Sequence, residues 1–135
     1  MVEVFKPPDA EALAELVAWA AAEATPLEIR GGGSKRQLGR PVETDYAVDL
    51  GGLSGVTLYE PDELVLTAGA GTRLDEIEGL LAQSRQQLAF EPADLSRLWD
   101  GGGRAQTLGG VLATNISGSR RVKAGAARDH FLGFA

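Results

Sequence analysis

Glycine does not scatter through this chain. It gathers at Gly31-Gly32-Gly33, at Gly69-Ala70-Gly71, and most densely after residue 100, as Gly101, Gly102, Gly103, Gly109, Gly110, Gly118, Gly125 and Gly133. The first two clusters follow β-prone runs, Leu27-Glu28-Ile29-Arg30 and residues 64–68. A strand that feeds into consecutive small residues gives backbone that turns sharply and approaches a ligand closely. Consecutive amides in such a turn form a concave nest for anionic oxygens. This pattern predicts a mixed α/β chain of short elements whose chemistry sits in its loops. With 135 residues, 44% hydrophobic and 24% charged, the chain has the length and composition of one globular domain with a core.

Charge sharpens the reading. Lys plus Arg is 13 against 19 Asp plus Glu, a net charge of −6. The sequence pI near 4.8 argues against a general nucleic-acid binder, because no basic excess exists to neutralise phosphates. Residues 1–100 carry 8 basic and 18 acidic groups, whereas residues 101–135 carry 5 basic and 1 acidic. A glycine-rich, locally basic segment on an acidic protein suits an anion; a flexible tail is the competing reading. Cysteine is absent, which excludes disulfides, thiolate catalysis and Cys-ligated zinc or iron–sulfur clusters in this chain. One histidine excludes a three-histidine metal site. No apolar run reaches spanning length and no secretory pattern opens the chain, so the expected location is cytoplasmic, or peripheral through partner subunits.

Along the chain, residues 2–5 read as a strand. Asp9 is placed to cap a helix running to about Ala24, with Leu13, Leu16, Val17, Ala20 and Ala24 as its apolar face. Residues 27–30 and 46–50 read as further strands. Gly51-Gly52 breaks the chain into two regions, 1–50 and 51–135. Residues 55–59 and 64–68 flank Glu60-Pro61-Asp62-Glu63 as a hairpin. Thr72 and Asp75 resemble a capping box before a helix carrying Leu74, Ile77 and Leu81, which fades near Gln86. Residues 88–91 read as a short strand before Pro92. The remainder reads mostly as loop, with one apolar run from Leu108 to Ile116.

Three motifs carry chemistry. Arg30-Gly31-Gly32-Gly33-Ser34-Lys35 adds a hydroxyl and a cation to a nest of amides, as a pyrophosphate requires. It is not a Walker A loop, lacking that motif's order, and a surface turn is the competing reading. Gly69-Ala70-Gly71-Thr72-Arg73-Leu74, with Glu91 downstream, has most of a dinucleotide fingerprint, but Leu74 stands where its third glycine belongs. An NAD module is therefore a minor alternative to an ordinary β-to-α turn. Thr107-Leu108-Gly109-Gly110-Val111-Leu112-Ala113-Thr114-Asn115-Ile116-Ser117-Gly118, followed by Gly125-Ala126-Ala127-Arg128-Asp129, mixes flat backbone, small side chains and neutral donors and acceptors. That mixture suits a large heterocycle with polar edges. Elsewhere the bland readings are preferred. Asp75, Glu76 and Glu78 form a solvated first helical turn; Trp19 and Trp99 pack; Arg120, Arg121 and Lys123 are a solvated basic run; His130 is a surface residue. Asp94, Arg97 and Asp100 have no assigned role.

In order and spacing these motifs resemble the N-terminal FAD-binding domain of the vanillyl-alcohol oxidase and p-cresol methylhydroxylase family. Within it they are most similar to the FAD-binding subunits of bacterial glycolate oxidases, over essentially the whole chain. The resemblance implies an α+β (α/β) fold of two small α/β subdomains, 1–50 and 51–135, with FAD between them and the second incomplete. It implies that Arg30 and the Gly31–Lys35 loop (Gly31, Gly32, Gly33, Ser34, Lys35) cradle the pyrophosphate. Gly109, Gly110, Thr114, Asn115, Ser117 and Gly118 would line the flavin and ribityl region. Pro92, Thr107, Ala113, Gly125, Arg128 and Asp129 would complete the cofactor site. Some relatives attach FAD through a histidine in the glycine loop. Here that loop offers Ser34 and Lys35, so non-covalent FAD is expected. The expected activity of the intact protein is oxidation of a small 2-hydroxy acid, such as glycolate, to the 2-oxo acid. The expected partners are a second flavin subunit and an iron–sulfur subunit, with no nucleic acid. The chain is expected to be a C-terminally truncated fragment, inactive alone and prone to self-association, with catalytic residues outside it. An assembly module without turnover of its own is the alternative.

Overall fold

A computed structural model describes residues 1–95, 98 and 105–135. The elements run β1 (Glu3–Phe5), α1 (Ala10–Ala22), β2 (Leu27–Arg30), β3 (Tyr46–Asp49), a 3-10 turn at Leu50–Gly52, β4 (Val56–Glu60), β5 (Val65–Ala68) and α2 (Leu74–Gln83). Three helices follow: α3 (Leu108–Thr114), α4 (Arg121–Ala124) and α5 (Ala127–His130). Strands β1, β3 and β2 form a parallel sheet in that order, with Val48 level with Phe5 and Ile29, and Asp49 level with Arg30. Strands β4 and β5 form an antiparallel hairpin, with a register irregularity between Val56 and Leu58.

The first sheet forms where the sequence places it. Asp9 caps α1 through a 2.9 Å bond from the Ala12 amide to its carboxylate. Phe5, Trp19 and Tyr46 pack as a ring cluster, with centroids 5.5–5.9 Å apart, and fasten α1 to the sheet. Trp19 is thus a packing residue, as expected, although 39% exposed. The predicted apolar stripe is only partly used. Ala20 is buried, but Val17 is half exposed and Ala24 lies beyond the helix end at φ 50°. A 13-residue helix is about 20 Å long. Strands of three or four residues span roughly 10–14 Å, too little to cover it.

Helix α2 buries Leu74, Ile77 and Leu81, as its period predicts. Its start is a correction. Arg73, not Thr72, is the N-cap. The Thr72 hydroxyl is fully buried, accepts from the Gly55 amide at 2.9 Å and donates to the Gly69 carbonyl at 2.7 Å. Asp75 pairs instead with Arg73. Beyond α2, Gln86 pins the hairpin by accepting from the Tyr59 hydroxyl at 2.8 Å and donating to the Pro61 carbonyl at 2.7 Å.

Two further expectations fail. Residues 88–91 form no strand: Glu91 has φ 48°, and only Pro92 makes an isolated bridge, to Ser117. The stretch expected to be loop holds α3, α4 and α5. Helix α3 is intrinsically poor, with two glycines in seven residues, so packing decides. Val111 is buried with Leu74, Phe90 and Ala127, against which Leu88 and Leu112 also pack. Among the described residues no helix is long and apolar enough to cross a membrane. Arg97, Trp99 and Asp100 lie outside the described residues.

Candidate cofactor site

Strand β2 delivers Arg30 directly into the glycine loop. A Cβ added at Gly31 would stand 2.1 Å from Thr107 Oγ1, and one at Gly32 would stand 1.7 Å from the Ala105 carbonyl oxygen. The first two glycines are therefore required by chain against chain, whatever ligand comes later. Gly33 has φ 75°, the left-handed conformation that turns the loop back. Ser34 is buried. Lys35 Nζ donates to Gln106 Oε1 at 2.6 Å, and burial lowers its pKa while Asp94 opposes the shift. Among the described residues, the amides of Gly32, Gly33, Ser34 and Lys35 find no acceptor.

The flanks of this loop are ionic. Glu28 accepts from Arg30 Nη2, and from Arg36 Nε at 2.7 Å and Nη2 at 3.3 Å. The hydrogen bond from Arg30 is the largest cause that holds the Glu28 carboxyl down, at about 2. Glu28 in turn raises the Arg30 guanidinium, with Asp49 adding to the effect. Arg30 Nε is buried and has no hydrogen-bond partner among the described residues.

The second glycine motif lies against the first 3-10 turn. Cβ atoms at Gly69 and Gly71 would stand 2.3 Å and 2.0 Å from the carbonyl oxygens of Leu53 and Leu50. Its other side is clipped by residues 106–109, through Leu74 N to Gln106 O (2.9 Å), Leu108 N to Thr72 O (2.9 Å) and Gly109 N to Ala70 O (2.8 Å). Residues 105–109 thus form a seam that touches the Gly31–Gly32 backbone and the Gly69–Leu74 turn.

Helix α3 leads from that seam to a second group of the expected residues. Thr114 donates back to the Gly110 carbonyl at 2.9 Å. A Cβ at Gly110 would meet only Thr107 Oγ1, at 3.4 Å, and Ala113 is exposed. Asn115 ends the helix at φ 50° and its Oδ1 accepts from the Arg128 amide at 3.0 Å. Ser117 Oγ accepts from the Ala127 amide at 3.3 Å. Gly118 donates to the Phe90 carbonyl at 3.1 Å and abuts Glu91, which pairs with Arg120 at 2.8 Å. Gly125 has φ 82°, and Asp129 Oδ2 accepts from the Ala126 amide at 2.7 Å. His130 is exposed, bonded through Nε2 to the Ala124 carbonyl and packed on Phe90.

The structure therefore brings Arg30–Lys35 to Thr107. It gathers Pro92, Asn115, Ser117, Gly118, Gly125, Arg128 and Asp129 separately, and Gly109, Gly110, Ala113 and Thr114 lie on the helix between. Sequence reasoning missed Glu28, Ala105 and Gln106. Glu28 had a signal, its position two residues from Arg30 on the same face of a strand; the other two had none. A cavity of about 410 Å³ beside Glu78, Gln86, Glu91 and Pro92 borders the Ser117–Gly118 group, and one of about 600 Å³ beside Val2, Pro26 and Tyr46 touches none of the expected site residues. Amides with no acceptor among the described residues, beside the half-buried Lys35 ammonium, are a donor set that fits a diphosphate.

Comparison with known proteins agrees. Residues 3–135 match the sequence model of the FAD binding domain family. The glycolate oxidase subunit GlcE of Escherichia coli (strain K12) is 41% identical over 123 residues, covering 91% of this chain and 33% of that protein. The D-lactate dehydrogenase of Archaeoglobus fulgidus is 30% identical over 130 residues, covering 96% of this chain and 27% of that protein. The chain spans about a third or less of the length of these curated relatives. Alkyldihydroxyacetonephosphate synthase superposes with a TM-score of 0.71 at 25% identity, over 93% of this chain and 23% of that one. The family match runs over nearly every residue, and the fold and the resemblance carried by the glycine motifs concur with it: the chain belongs to the FAD binding domain family, with FAD as its cofactor.

Proposed function

We propose that this chain holds FAD non-covalently, as the cofactor domain of an oxidoreductase that converts a small 2-hydroxy acid to the 2-oxo acid. The observation that carries the reading is the convergence of the Arg30–Lys35 loop and the Thr107–Gly110 segment on one seam, beside amides with no described acceptor. In this reading the amides of Gly32 to Lys35 and the Lys35 ammonium hold the diphosphate. Gly110 and Ala113 leave one side of α3 open to a flat ring, and Asn115 and Ser117 fix the backbone around Ala127 and Arg128. Residues 1–50 and 51–135 act as the two subdomains flanking the cofactor. When bound, FAD would supply the hydride-accepting chemistry that oxidation of a carbinol carbon needs. Similarity to a glycolate oxidase subunit and to a D-lactate dehydrogenase supports the substrate class. The former's description as a subunit supports association with further chains; in our reading these are a second flavin subunit and an iron–sulfur subunit. These 135 residues hold no cysteine, so the ligands of such a cluster would lie outside them. An NAD site at Gly69–Leu74 has less support: Gly71 is needed against the Leu50 carbonyl, and Leu74 is buried.

The test is the visible spectrum of the purified chain after incubation with FAD and desalting. A flavin band that stays with the protein and enters the supernatant on acid precipitation is expected. Colour in the acid pellet would refute non-covalent attachment, and a colourless protein would refute binding by this chain alone. Gly110→Asp tests the site, because Gly110 has room for a Cβ whereas Gly32 does not. Flavin content is expected to fall with the circular dichroism unchanged; unaltered content would remove Gly110 from the site.

A further inference from the structure

The two ends of the glycine loop are tied by a residue that belongs to neither end. Arg30 precedes Gly31 and Arg36 follows Lys35, and both guanidinium groups converge on the Glu28 carboxylate. The Glu28 side chain is 11% exposed, against 19% for that of Arg30 and 43% for that of Arg36. Charge-assisted bonds to a largely buried carboxylate are among the stronger polar contacts available to a loop. An untethered loop of five glycine-rich residues would have to lose its backbone freedom when a ligand binds.

We propose that Glu28 is a positioning residue for the cofactor: by bridging Arg30 and Arg36 it fixes the width of the Gly31–Lys35 loop and keeps its amides converged on the diphosphate. The proposal rests on the FAD reading above. Glu28 touches no phosphate and carries the wrong charge to do so. Its effect runs through the loop it closes.

The sign of one measurement separates this role from its rival. If Glu28 only neutralised two arginines, removing its charge would strengthen the attraction for a diphosphate. If it positions the loop, removal weakens binding. The experiment titrates FAD by flavin fluorescence, and ADP by competition, into the wild-type chain, Glu28→Gln and Glu28→Asp, with thermal melting in parallel. The expected result is a rise of about tenfold in Kd for FAD and ADP alike in Glu28→Gln, the loss of preorganisation being shared by both ligands. Partial recovery is expected in Glu28→Asp. Arg36→Gln should weaken binding in the wild-type background and add nothing in Glu28→Gln, since both cut the same bridge. An unchanged or tighter Kd in Glu28→Gln, with wild-type binding intact, overturns the proposal and leaves the FAD reading standing. A wild-type chain that binds neither FAD nor ADP overturns the FAD reading and this proposal together. Should Glu28→Gln fail to fold, amide hydrogen exchange of Arg36→Gln decides instead. Faster exchange is expected at the amides of residues 36 and 38, which donate to the Gly33 and Lys35 carbonyls, and unchanged exchange there overturns the bridge.

Discussion

Two glycines of this chain ask opposite things of a methyl group. At Gly32 a Cβ would stand 1.7 Å from the Ala105 carbonyl oxygen, so the backbone of one segment must move. Gly32→Ala is expected to cost roughly 1–3 kcal/mol in urea unfolding, as overpacking does. Gly79 is exposed within α2 and a Cβ there meets nothing within 4 Å. Gly79→Ala is expected to stabilise by about 0.5–1 kcal/mol in the same assay, because it removes backbone freedom from the unfolded chain. The glycine clusters were legible in the sequence; their first use was not. Sequence alone reads the first and third clusters as room for a ligand and the second as a turn, whereas Gly31, Gly32, Gly69 and Gly71 first admit other stretches of this chain. A third prediction concerns acid. The Glu28 carboxyl is lowered from 4.5 to about 2 in the folded state, held first by Arg30. The folded state thus binds the proton less readily than the unfolded one. The contribution is complete above 4.5 and is lost as the pH falls towards 2. Urea midpoints measured across that window should fall less steeply in Glu28→Gln than in the wild-type chain; equal slopes would contradict the assignment.

Elements long enough to show a period were readable, and shorter ones were not. The helical spacing of Leu74, Ile77 and Leu81 finds α2, although it stops at Gln83 rather than near Gln86, and β-prone runs find β1 to β5 within a residue or two. Helices α4 and α5 have four residues each, barely one turn, and α3 has seven with two glycines. No hydrophobic period develops over such lengths, and tertiary contacts to Leu74 and Phe90 stabilise α3 and α5 instead. Residues 88–91 show the converse: a β-prone run overruled because Phe90 turns into the core and Glu91 takes a positive φ. Periodicity also misjudged how far α1 is covered. Ile77→Ala, at a fully buried position, is expected to cost about 2–5 kcal/mol by denaturant unfolding. Val17→Ala, on the same sequence pattern but half exposed, is expected to stay within about 0.5 kcal/mol. Equal losses at the two positions would mean that α1 is covered as fully as its stripe predicts.

For the whole molecule, no single motif identified the family; the order and spacing of three did. Each glycine cluster taken alone fits an ordinary turn, and the structure shows why such turns are needed. Their order from Arg30 to Asp129 carries the resemblance, and the family match extends over residues 3–135. What sequence could not give was the seam. Contacts between residues 31 and 107, or 70 and 109, depend on closure over long separations, and side-chain chemistry at either end does not announce them.

That seam also bears on how the chain comes apart. The parallel sheet and the β4–β5 hairpin share no strand, and two such units could melt independently. Residues 105–109 are gripped on one side by the loop leaving β2 and on the other by the turn entering α2. Losing either grip exposes the other, so thermal unfolding should be one cooperative transition, with calorimetric and van't Hoff enthalpies equal. A diphosphate held at Gly32–Lys35 would then raise the melting temperature of the hairpin as well as of the sheet, although it touches only one of them.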